Sequence, residues 1–87
     1  MGHLKLTTEQ QLYFANAILR LDEFEARKWM RVSGFDSAVS ERHGDAFTAV
    51  IHSARILLVN ATQQQRRESE EWLRARAFEV PKPYLKD

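Results

Sequence analysis

The chain has 87 residues, enough for one domain but with a limited core, since about 60–65% of the unfolded surface is buried at this size. Hydrophobic residues make up 44% and charged residues 29%, which excludes a disordered tail, a collagen-like chain and a membrane-spanning protein. Thirteen basic residues stand against twelve acidic ones, without bias between the two halves, and there is no cysteine, which removes disulfides, thiolate metal sites and a thiol nucleophile.

Residues 1–7 read as an extended N-terminal arm, because His3-Leu4-Lys5-Leu6 alternates without a partner hairpin. A helix is expected from Thr7 or Thr8. There Thr8-Glu9-Gln10-Gln11 fits a capping box, the hydroxyl accepting from the backbone three residues on while Gln11 reaches back. Its end is expected at Ser33, with Gly34 as the left-handed residue that closes it. On a helical wheel Asn16, Arg20, Glu23, Arg27 and Arg31 share one narrow stripe. Leu12, Ala15, Leu19, Ala26 and Met30 form one apolar side; Phe14, Ala17, Ile18, Leu21 and Val32 form another. Two apolar sides imply a sandwiched helix, central in the fold or shared with another chain. A break near Asp22 into two shorter helices accounts for the same pattern.

Phe35 to Gly44 reads as a short unit with Asp36 as its cap, Val39 pointing inward and Gly44 as its stop. Asp45 then caps the best-defined helix, in which Phe47, Val50, Ile51, Ala54, Leu57, Leu58 and Ala61 make one continuous stripe. Ile56 and Val59 lie off that stripe. Beyond Ala61 two readings compete: the helix continues and re-engages at Trp72, Ala75 and Phe78, or it stops near Asn60 and Thr62 caps a third helix. Continuity is preferred, because no glycine or proline intervenes. Residues 79–87, with Pro81 and Pro83, read as an extended C-terminal tail. The expected fold is all-α, a small three- to four-helix bundle over residues 8–78, built on an antiparallel pair, residues 8–33 and 45–61.

Few residues suggest chemistry. Ser53 follows His52 directly, and adjacent helical residues point apart, so they do not pair as nucleophile and base. His43 and Asp45 flank Gly44 as exposed turn residues. No histidine spacing matches a metal site and no glycine-rich phosphate loop occurs, so neither catalysis, a metal nor a cofactor is expected. A helix–turn–helix reading fails because the helix after Gly44 opens acidic and apolar, Asp45-Ala46-Phe47. Asn60-Ala61-Thr62 matches a glycosylation sequon by chance.

Aromatic and arginine residues remain as interaction anchors. Trp72, Arg74, Arg76, Phe78 and Tyr84 are assigned to a surface for an unidentified protein partner. Surplus apolar residues point to a homo-oligomer, a dimer by preference, through Phe14, Ile18, Leu21, Ile56 and Val59. The expected function is a non-enzymatic binding protein: an adaptor, regulator or inhibitor of another macromolecule. Two alternatives stand beside it, nucleic-acid association through Arg55, Arg66 and Arg67, and capture of a small anionic ligand between subunits. A cytoplasmic location is expected, since no secretion leader is visible and the apolar-rich run Leu12 to Leu21 falls far short of the ~20 residues that span a bilayer.

Overall fold

The first helix starts at Thr8, as the sequence suggests, but its cap is Thr7 rather than Thr8. In the computed structural model, which describes residues 6–82, Thr7 Oγ1 accepts from the Gln10 amide at 3.1 Å and Gln10 Oε1 accepts from the Thr7 amide at 2.9 Å. This capping box opens α1, Thr8–Leu19. Asp22 caps α2, Glu23–Val32, by accepting from the Glu25 amide at 3.1 Å. Asp36 caps the single turn of α3, Ser37–Ser40, as its position implies. Helix α4 covers Asp45–Leu57, and a second capping box, Thr62 with Gln65, starts α5, Gln63–Ala75. The described residues are all-helical, with five helices instead of three or four.

The additional helices come from terminations that glycine does not mark. After α1 the Leu21 amide donates to Ile18 O and the Asp22 amide to Ala17 O, at 3.0 and 2.8 Å. The same double closure ends α2 through Gly34 and Phe35, and α5 through Ala77 and Phe78. Each places one residue at positive φ: 59° at Leu21, 76° at Gly34 and 63° at Ala77. Only Gly34 does so without steric cost. The continuous helix expected over 8–33 is therefore two, broken at Leu21, whose side chain packs on the core and helps to hold the turn. Ala77 is exposed and gains little from packing. Ala77→Gly is expected to stabilise the domain by about 1 kcal/mol, because it relieves a Cβ clash worth about 1–2 kcal/mol at some entropic cost. Thermal melting followed by circular dichroism checks this; a lower midpoint would show that the alanine is unstrained.

The continuous helix expected through residues 62–78 is also interrupted. Leu58 turns to an extended conformation, φ −72° and ψ 132°, and α5 packs along α4. Arg66 fixes this corner by donating to the carbonyls of Ile56, Leu58 and Val59, which the end of α4 leaves without helical partners. Gly44, expected as a stop, is the residue from which α4 springs. Its φ of 58° and ψ of −140° suit glycine, and Asp45 becomes the first helical residue rather than the cap.

Helix α4 is the centre of the molecule and packs against all four other helices. Phe47 and Ile51 meet Ala17, Ile18, Ala26 and Met30 in a first core formed with α1 and α2. Ala49 and Ile56 meet Leu73 in a second core, covered by Trp72, Phe78 and Val80. Polar bonds tie the layers: Thr48 Oγ1 donates to Glu23 at 2.8 Å, and Arg27 donates to the carbonyls of Ser40 and Arg42 with its guanidinium 3.9 Å from the Phe47 ring. No helix among the described residues is long and apolar enough to cross a membrane.

Candidate functional site

Successive α4 residues turn by about 100°, so each packed face of the helix claims a definite arc. The two cores and a buried polar cluster occupy most of the circle. The remaining arc carries the exposed Ala46 and the partly exposed Val50 and Ser53, with the buried Ala49 at its edge, and among the described residues it is only partly covered. It forms the floor of a groove of about 650 Å³. Phe35, Val39 and Arg42 wall the groove on the α2–α3 side; Phe78, Glu79 and Pro81 wall it on the C-terminal side. Leu57, 45% exposed and one turn beyond Ser53, continues the floor row.

The C-terminal wall is backed by an aromatic stack. Phe78 lies parallel to Trp72 with centroids 5.9 Å apart, and Trp72 stacks on His52 at 4.5 Å. The Arg76 guanidinium sits 4.2 Å above the Trp72 ring, with its Nε 3.7 Å from Asp45. Below the stack, Ser69 Oγ lies 2.8 Å from His52 Nδ1 and accepts from Arg55 Nη1 at 3.3 Å. Arg55 Nη2 reaches Glu68 at 3.4 Å, while its buried Nε has no partner. Ser69 Oγ has two lone pairs, so it accepts from Arg55 in either histidine tautomer: it donates to Nδ1 when the ring hydrogen is on Nε2 and accepts from Nδ1 when the hydrogen is there. Burial, then the charges of Arg55 and Arg76, hold the His52 pKa below the ordinary histidine value.

A serine and a histidine in contact resemble part of a hydrolytic site, but Ser69 is 0% exposed and no substrate reaches its oxygen in this conformation. His52 and Ser53 do point apart; the hydroxyl that His52 meets comes from α5. Among the described residues no three histidine, aspartate or glutamate side chains converge as a metal site.

The residues assigned from sequence fall into different environments. Trp72 and Phe78 are half-buried against the second core, so they act first as packing residues. Arg76 covers Trp72, and Arg74 is exposed and paired with Glu70 at 2.7 Å. Tyr84 lies outside the described residues. Of the self-association set, Ile18 and Ile56 are 5% and 4% exposed and belong to the two cores of a single chain. Phe14 and Leu21 are partly covered by the first core, because the break at Leu21 folds α2 back over them. Val59 alone of that set is largely exposed, at 81%. The basic face of Arg55, Arg66 and Arg67 does not assemble either: Arg55 is buried, Arg66 is spent on backbone carbonyls, and only Arg67 is exposed.

On the far side of α2, Phe24 is 84% exposed beside Lys28, Arg31 and Val32. Arg31 makes a two-pronged pair with Glu41, at 2.8 and 2.9 Å. This pair raises the Arg31 pKa and lowers that of the Glu41 carboxyl. Comparison with family models, with curated proteins and with solved structures returns no match.

Proposed function

We propose that the chain is a non-enzymatic binding protein, an adaptor, regulator or inhibitor that acts by taking an apolar segment of a protein partner into the groove on α4. One observation carries this reading: the central helix of a small domain leaves an apolar face open between two walls, at a volume of about 650 Å³. Binding sites are concave, mostly apolar and furnished with a few polar groups, here Arg42, Ser53 and Glu79. A domain this small has little apolar surface to leave unburied without a use for it. The Trp72–Arg76 stack contributes indirectly, by fixing the Phe78 wall from behind.

Ala46 is an exposed floor residue, so a larger side chain there fills the groove with little effect on folding. Selection from a displayed random-peptide library is expected to enrich apolar sequences that bind the chain and lose at least about tenfold in affinity, roughly 1.4 kcal/mol, on Ala46→Arg. Enriched peptides that bind this variant equally well would remove the groove as the site.

A further inference from the structure

The charges on the groove rims specify more than an apolar ligand, and this step rests on the reading just given. We infer that the occupant is an amphipathic helix whose apolar stripe is flanked by acidic residues on one edge and basic residues on the other, and that Arg42 and Glu79 set the direction in which it lies.

The floor favours a helix. Ala46, Ala49 and Ser53 are small and spaced three and four residues apart, so this face of α4 presents no high ridge over about two turns. A second helix can approach such a face to the ordinary interaxial distance of about 8–10 Å and place its larger side chains between Phe35 and Phe78. A β-strand occupant gains its affinity by pairing its backbone with a sheet edge. The floor is a helical face whose amides and carbonyls are already bonded, and the described residues contain no sheet edge. A helical occupant satisfies its own backbone and needs only side-chain contacts.

The rims carry opposite charges on opposite walls. Val50, on the α3 side of the floor, packs toward the first core, and Ala49, on the other side, belongs to the second. Arg42 stands on the first wall and Glu79 on the second. Both are exposed, and among the described residues neither joins an ion pair. Arg42 makes one weak side-chain bond, from Nε to the Ala38 carbonyl at 3.3 Å, which leaves the end of its guanidinium open. Arg31, Arg74 and Arg76, in contrast, already pair with carboxylates. A helix with one acidic and one basic flank meets both rims favourably in one direction only; reversal about the groove normal brings each flank against its like charge. Electrostatics of this kind fixes register and orientation more than raw affinity.

The test uses stapled helical peptides of about 14 residues with one shared apolar stripe and three flank patterns: acidic on both sides, basic on both, and mixed. The mixed peptide is expected to bind about tenfold tighter than either uniform one at low salt, a ratio that shrinks as salt is raised. A spin label at its N-terminus is expected to broaden the amide signals at one end of the floor, near Ala46 or near Leu57. In the double variant Arg42→Glu, Glu79→Arg the same label is expected to broaden the opposite end. Both substitutions are at exposed positions, so the fold is retained. Equal affinity for all three peptides, or a direction that ignores the double variant, would overturn the inference while leaving the groove a binding site. Library peptides that bind at Ala46 while no helical peptide binds would exclude a helical occupant. Light scattering that shows a dimer displaced by groove-binding peptides would identify the occupant as a second copy and overturn it as well.

Discussion

Replacing Trp72 and Phe78 together by alanine is expected to destabilise the domain by about 3–4 kcal/mol and to lower its melting temperature by more than about 12 °C. Deletion of a fully buried aromatic side chain costs about 3–5 kcal/mol, and these two are only partly buried, so each is expected to cost less than that. Their effects are not independent, since the rings stack on one another and rest on Ala49, Ile56 and Leu73. For 87 residues the whole stability is about 4–13 kcal/mol, at 0.05–0.15 kcal/mol per residue, so this loss takes a large share. Arg74→Ala, which removes an exposed pair with Glu70, is expected to change stability by less than about 0.5 kcal/mol. Urea denaturation of the variants separates the two classes. An unchanged midpoint for the aromatic double variant would mean that the pair is surface and that the C-terminal wall stands without it.

That contrast bears on what the sequence made legible. Helix α4 was readable because Phe47, Val50, Ile51, Ala54 and Leu57 recur at helical spacing, and the caps at Asp36 and Gly34 were readable from residue type. The break between α1 and α2 was visible only as an alternative, because its left-handed residue is a leucine. The end of α4 likewise lacks a glycine; Arg66, eight residues beyond Leu58, supplies the closure through space. These misses moved the centre of the fold. One helix over 8–33 reads as sandwiched because it is apolar on two sides, yet once broken, Ala17 and Ile18 of α1 meet Ala26 and Met30 of α2 against α4, and Leu12 and Val32 stay exposed. Conversely, α4 looked like a single-stripe helix because His52 and Arg55 were counted as polar, although both are buried against α5. The groove floor is less legible for a related reason: Ala46 and Ser53 are small and weakly hydrophobic, and they lie beside a strong stripe that shares Val50 with the floor. Of its walls, Val39 and Phe78 stand out from sequence, the first as an inward residue and the second as an interaction anchor.

Acidification from about pH 7.5 to 5.5 is expected to lower the stability of the domain through His52, and His52→Gln is expected to flatten that dependence. The His52 imidazole shares a hydrogen bond with Ser69, stacks on Trp72 and lies between Arg55 on its own helix and Arg76 beyond α5. Glu68, the acidic group bonded within this cluster, is engaged with Arg55. Protonation would place a charge on a ring buried between α4 and α5, and the loss of hydration is the largest cost. It would also set a third positive charge beside two arginines. The folded pKa accordingly lies below the unfolded value of 6.5, so the contribution is complete above 6.5. As pH falls through 6.5 the unfolded chain takes up a proton that the folded chain resists, and stability declines until the lowered folded value is reached. Glu41, whose carboxyl is lowered by Arg31, acts only below its ordinary 4.5, so the two windows are separate. Glutamine keeps an acceptor for Ser69 but gives up part of the stack on Trp72, so the variant is expected to be less stable at high pH and insensitive across the histidine window. Chemical denaturation at a series of pH values measures both. A wild-type curve that is level through this range, or a glutamine variant with the same slope, would place the proton-sensitive group elsewhere than between α4 and α5.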